Sequence, residues 1–338
     1  MELPQIQRPI AISYCHKDFP IAHTIALALG YGRKPHVGMM GAIFMQFPNP
    51  TTIPSNRKYD YVSWAGIPLE GYEDRPWELD TGPAMISDSE SLVVVLTKYS
   101  CRSNAVQKEF DWYPKRKPVF IVPIAGEPVP VEWKNRPNLH VIDPPASLDL
   151  NGLLRMAMEQ AVEADNDGRT QDAELLYFEA INLQGIVAPN NISRLAHLHG
   201  AKGTQEIKLG LGQGAIQTLS ACLRLCDLLP DADQLNRLVK LDESSGGILM
   251  LGITPASAMR AHALCDLGVA HMVARNETTM EQHEKVEHRR LARECWEKCL
   301  AILRADANLL RRMNGFPYDD LQARCEEFLQ RSNLPHTD

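Results

Sequence analysis

A carboxylate and a few small polar groups are the residues of this chain whose types and spacing best suit chemistry. Glu109 lies beyond Ser103 in text that reads as a helix starting near Ser103, just after the apolar run Leu92–Leu96. That places Glu109 about one and a half turns into the helix, with Ser103 free to cap it. A carboxylate near the start of a helix beyond a central strand lies at the crevice where open α/β sheets bind ligands. Ser13, Tyr14 and Asp18 close another apolar run and its loop, within reach of the same crevice.

Other patterns imitate chemistry without its context. Gly210-Leu211-Gly212-Gln213-Gly214-Ala215 resembles a dinucleotide loop, yet Thr204–Lys208 before it is a poor buried strand, so a loop between helices is expected. His283 and His288 differ by about 140° around a helix, which is too far apart to grip one zinc ion. They read as a solvated face. Cys222/Cys226 and Cys295/Cys299 are i,i+4 pairs in helical text and read as small buried residues. Met156, Met158 and Met250 read as core filler. No metal site is expected, and no GxxxxGK[ST] phosphate loop occurs.

The elements that must position Glu109 are legible as short apolar runs. They are Ile10–Tyr14, Tyr59–Trp64, Leu92–Leu96, Pro118–Pro123 and Leu139–Ile142. Near-continuous β-branched runs suit strands buried on both faces of a parallel sheet. Helical text lies between them at Phe19–Leu29, near Pro83–Ile86 and at Ser103–Tyr113. This order implies a doubly wound, flavodoxin-like α/β domain over residues 1–146, with 31–58 as an insertion. From 147 to 338 the pattern is helical. Ala173/Tyr177/Ala180 and Ala292/Trp296/Cys299 share small–aromatic–small offsets that let helices approach closely. These resemble tetratricopeptide hairpins, so an all-α interaction or sensor domain is expected.

Composition bounds the class. The chain has 338 residues, 44% hydrophobic and 23% charged, which excludes wholesale disorder. Residues 1–147 carry equal numbers of basic and acidic side chains, so the net charge of −7 falls on the remainder. That argues against direct nucleic-acid binding. The apolar run Val37–Phe47 is too short to span a bilayer, and Met1-Glu2-Leu3-Pro4 lacks the features of a signal peptide. A cytoplasmic protein away from the membrane is expected.

Four features in order make residues 8–145 resemble a bacterial TIR (Toll/interleukin-1 receptor) domain. Ile12-Ser13-Tyr14 through Asp18 resembles the family's opening motif. Gly66-Ile67-Pro68-Leu69-Glu70-Gly71 after Tyr59–Trp64 resembles its BB loop. Trp77, Ala84-Met85-Ile86 and Ser89 lead to the central strand, Leu96-Thr97-Lys98-Tyr99 resembles the start of the next motif, and Ser103-Asn104-Ala105-Val106-Gln107-Lys108-Glu109 resembles Ser-x-Trp-[Cys/Val]-x-x-Glu. Ala105 stands where the family usually has tryptophan, and Trp112 lies three residues beyond Glu109.

The resemblance implies an NAD⁺ glycohydrolase in which Glu109 cleaves the nicotinamide–ribose bond, with NAD⁺ as substrate and no cofactor. It implies a substrate site drawing on Ser13, Tyr14, Asp18, Gly66, Trp77 and Ser103. It also implies self-association through TIR domains, with an activating protein or nucleotide at the helical domain and a setting in anti-phage defence. Two readings stay open for Tyr14, a ring for nicotinamide or adenine and a structural aromatic. Asp18 has two as well, a site residue and a cap for the helix near Phe19. A non-catalytic TIR scaffold is the main alternative, supported by Ala105. Nucleoside deoxyribosyl transfer, which uses a similar scaffold and a ribose-directed glutamate, ranks behind it.

Overall fold

A computed structural model describes residues 10–29, 43–45, 91–229, 256–276, 280–311 and 316–332. The expected strand Tyr59–Trp64, the short helix near Pro83–Ile86, Gly66 and Trp77 lie outside the described residues. The chain divides into two compact units, Met1–Met156 and Ala157–Asp338.

Among the described residues the first unit is built on a parallel sheet of five strands in the order β2-β1-β3-β4-β5. They are β1 Ile10–Ser13, β2 Ile43–Met45, β3 Ser91–Leu96, β4 Val119–Pro123 and β5 Leu139–Val141. β3 is buried along its whole length and lies between β1 and β4, as its Leu-Val-Val-Val-Leu run requires. β5 lies at the edge of the sheet among the described residues, and its Val141 is exposed. One expectation needs correction. The stretch 31–58 is not wholly an insertion, because Ile43–Met45 within it pairs with Ala11–Ser13 of β1. Ile43-Phe44-Met45 supplies three apolar residues in a row, enough for a short strand beside the buried β1.

Helix α1, Phe19–Ala28, follows β1, and α2, Asn104–Trp112, follows β3. Ser103 caps α2, accepting from the Val106 N–H at 3.4 Å. Val106, Phe110 and Tyr113 descend from α2 into a core with Ala11, Leu92, Val94, Val119 and Ile121. Trp133, on the short helix α3 Val131–Lys134, stacks on Phe110 at 4.4 Å between ring centroids. Its indole donates to Gln107 Oε1 at 2.7 Å. The Arg136 guanidinium donates to the Phe110 and Tyr113 carbonyls, satisfying acceptors at the end of α2. The helix is therefore held at its start, along one face and at its end.

The helical text forms α4 Leu150–Asn166, α5 Thr170–Val187, α6 Ile192–Lys208 and α7 Gly212–Cys226. It continues in α8 Ala256–Arg275, α9 Gln282–Ala305, α10 Ala307–Leu310 and α11 Tyr318–Ser332. The division between units falls within α4. In the second unit α5 packs on α6, α6 on α7, α7 on α8 and α8 on α9.

Small residues permit these approaches. A methyl group on Gly268 of α8 would lie 2.2 Å from Trp296 Nε1 of α9, which donates to the Cys265 carbonyl at 3.1 Å. Ala292, Trp296 and Cys299 are buried together, as are Ala173, Tyr177 and Ala180. The dinucleotide look-alike is an inter-helix turn, with Gly210 at φ +76° and Gly212 pressed on the Ala274 backbone at the start of α7.

Candidate functional site

Glu109 sits on the buried stripe of α2. Val106, Glu109, Phe110 and Tyr113 follow the i, i+3, i+4, i+7 spacing of a helix face turned to a core. An acid therefore occupies a position that packing alone would fill with an apolar residue. It is 3% exposed, and Ser13 Oγ donates to its Oε2 at 2.5 Å. Ser13 is the last residue of β1 and is itself fully buried. Burial pushes the Glu109 carboxyl up from 4.5 to about 7, while the Ser13 hydrogen bond pulls the other way.

A second acid lies on the same sheet edge. Asp18 ends a short 3₁₀ turn, His16–Asp18, that joins β1 to α1, and it is fully buried. Thr97, the residue directly after β3, donates from Oγ1 to Asp18 Oδ2 at 2.8 Å. Asp18 Oδ1 is buried with no hydrogen-bond partner among the described residues. Burial raises this carboxyl from 3.8 to about 7, opposed by the Thr97 bond, the Cys15 backbone and the Lys17 charge. The bond to Thr97 links the loop after β1 to the loop after β3.

Thr97 also organises its own turn. Its Oγ1 accepts from the Tyr99 N–H at 3.0 Å, and its own N–H donates to Ser100 Oγ at 2.6 Å. Tyr99 closes the arrangement on the outside. The ammonium groups of Lys17 and Lys98 lie 5.2 Å and 5.0 Å from its ring centroid. Desolvation and the Arg102 charge lower the Lys98 pKa.

Ser13, Asp18, Thr97 and Glu109 thus converge where β1 and β3 end. In the order β2-β1-β3-β4-β5 the chain moves outward from β1 to β2 and then returns past β1 to β3. Open parallel sheets bind ligands at such a reversal, outside the carboxyl ends of the strands. Two buried carboxyls that titrate near neutrality give this edge the capacity to take up or release a proton at pH 7.

The expected site residues are distributed as follows. Ser13 and Glu109 are bonded to each other, and Asp18 is tied to Thr97. Ser103 is the helix cap of α2. Tyr14 is buried, its ring 6.3 Å from that of Phe19. Trp112 packs against the core of the first unit. Thr97 lies in the Leu96-Thr97-Lys98-Tyr99 stretch that resembles the family motif, but its bond to Asp18 is not legible from sequence.

The other look-alike motifs are structural. Cys222, Cys226, Cys295 and Cys299 are buried free thiols. His283 is exposed beside Glu281, whereas His288 meets His271 with 2.9 Å between their Nδ1 atoms. Among the described residues no group of three His, Cys, Asp or Glu side chains is placed to hold a metal ion. No helix among them is long and apolar enough to cross a membrane. No family model, curated protein or solved structure matches this chain.

Proposed function

We propose that the chain is a TIR-like NAD⁺ glycohydrolase in which Glu109 acts on the nicotinamide ribose. The observation that carries this reading is the Glu109 carboxyl, buried on an apolar stripe yet held by Ser13 at the β1/β3 edge. A buried ionisable group costs stability, so its presence there calls for a role that packing does not supply. The strand order 2-1-3-4-5, which flavodoxin-like sheets also have, supports a ligand site at this same edge.

The chemistry suits one carboxylate. Nicotinamide leaves the ribose as a neutral base, taking the electron pair of the C–N bond, and needs no acid. The cationic sugar left behind requires a nearby negative charge and hydrogen bonds to its hydroxyls. Water then adds to the anomeric carbon and loses a proton, for which a carboxyl titrating near 7 is a competent acceptor. Ser13 fixes the carboxylate rotamer. Lys17 and Lys98, on the loops after β1 and β3, supply positive charge for a pyrophosphate.

The helical second unit serves in this reading as the module that receives a signal and assembles protomers, in a defence setting taken from the resemblance alone. Incubating concentrated protein with NAD⁺ and quantifying free nicotinamide tests the proposal, which requires turnover in an assembled state. The scaffold reading is favoured by a different observation, Ala105 in place of the family's tryptophan. It requires that the cellular NAD⁺ pool stay intact on expression.

A further inference from the structure

The second unit contains a cavity of about 360 Å³ between α6, α7 and α8, closed at one side by Phe316 and Pro317. That volume is within the range of small-molecule sites, about 300–1,000 Å³. Its apolar walls include Leu219, Met259 and Phe316, and its polar groups include Thr204, His262 and Asp266. The lining is therefore an apolar body with a few convergent polar atoms, the usual composition of a ligand pocket.

Asp266 sets the charge. It is the only Asp, Glu, Lys or Arg side chain in the lining, and desolvation lowers the pKa of the two lining histidines, His197 and His262. Its carboxylate is also short of donors. Thr204 Oγ1 donates to Asp266 Oδ2 at 2.8 Å, but the same hydroxyl lies 3.1 Å from the Gly200 carbonyl and has one proton to give. Arg324 reaches Oδ1 only at 3.4 Å, and its side chain is half exposed. A carboxylate has about four lone-pair sites, so this one retains capacity for a strong donor arriving through the cavity. The edge-on contact of His262 with Phe316, 5.3 Å between centroids at 88°, holds two flat rings at the wall.

We infer that this cavity binds a small organic cation, a protonated amine on an apolar or aromatic body, with the amine on Asp266 and the body against Met259, Leu219 and Phe316. An anionic ligand meets the Asp266 carboxylate, which Arg324 reaches only at 3.4 Å, and is disfavoured. The inference is independent of any activity at Glu109.

Calorimetric titration of the full chain with phenethylamine, and separately with hydrocinnamate, tests it. The two probes share the phenylethyl body and differ in the sign of the charged end. Wild type is expected to bind phenethylamine saturably in the millimolar range or tighter and to ignore hydrocinnamate. Asp266→Asn should weaken phenethylamine roughly tenfold or more, the loss expected for one hydrogen bond to a charged group. Ala201→Phe, which places a ring into the cavity from α6, should abolish binding. Absence of saturable binding by wild type, equal binding of the two probes, or unchanged binding by Ala201→Phe would overturn the inference. Should Asp266→Asn not fold, the charge discrimination of wild type and the plugged variant decide the matter.

Discussion

Ser13 Oγ donates to Glu109 Oε2 at 2.5 Å across 96 residues of chain, closing the end of β1 onto the buried stripe of α2. The bond opposes the upward push that burial exerts on the carboxyl. Ser13→Ala should therefore move the Glu109 pKa further above 7 and shift the rising limb of the pH–rate curve to more alkaline pH. The activity lost at pH 7 should be regained in part at pH 9. A pH profile of nicotinamide release measures the shift, and an unmoved limb would show that this bond does not govern the reacting group.

Asp18 and Glu109 also make stability depend on pH. Both carboxyls titrate higher in the folded chain, at about 7 against 3.8 and 4.5. The folded state thus binds more protons than the unfolded state between those values. The contribution of these two groups to stability should be fully present near pH 4 and fall as pH rises to 7, by on the order of 3 kcal/mol for each group. Asp18→Asn should remove much of its share, raising the melting temperature of the first unit at pH 8 and leaving it nearly unchanged at pH 4. Thermal unfolding of the two proteins at both pH values provides the check.

Thr97→Val keeps the shape of the strand end and removes the hydroxyl that donates to Asp18 and accepts from Tyr99 and Ser100. Leaving these buried partners unmet should cost about 1–3 kcal/mol. A fall in the urea midpoint of the first unit measures it. The disturbed Lys98–Tyr99 turn should raise KM for NAD⁺ as well.

Lys17 and Lys98 meet the Tyr99 ring without touching Glu109's bond to Ser13. Lys17→Ala should raise KM several-fold with kcat nearly unchanged, since it removes binding to a remote part of the substrate. Added salt should weaken wild type more than the variant.

Gly268→Ala drives a methyl group into the Trp296 indole. It should destabilise the second unit by about 1–3 kcal/mol through overpacking. Differential scanning calorimetry should show a lowered transition temperature for the variant.

Much of this architecture could be read from the chain because its signals are local. The buried runs of β1, β3, β4 and β5 announce themselves by branched apolar residues, and the helices of the second unit by small–aromatic–small offsets. β2 was missed because Ile43–Met45 is short and is embedded in glycine- and proline-rich text that reads as a loop. Glu109 was legible from its motif and from its place on a helix after a central strand. Its bond to Ser13 was not, since strand order, rather than spacing, joins residues so far apart. The bond of Thr97 to Asp18 and the role of Asp266 escaped for the same reason: each depends on a partner on another element.

Glu109→Gln tests the central claim most directly, because the amide keeps an acceptor for Ser13 while losing the charge. Nicotinamide release from NAD⁺ and the melting temperature should both be measured at pH 8 on wild type and variant, assembled at equal concentration. The expected result is a rate lower by roughly a hundredfold or more in a protein that melts higher than wild type, a functional acid having been traded for stability. Equal rates in the two proteins, or no release by wild type in any assembled state, would contradict the assignment of Glu109 as the group that acts on the ribose.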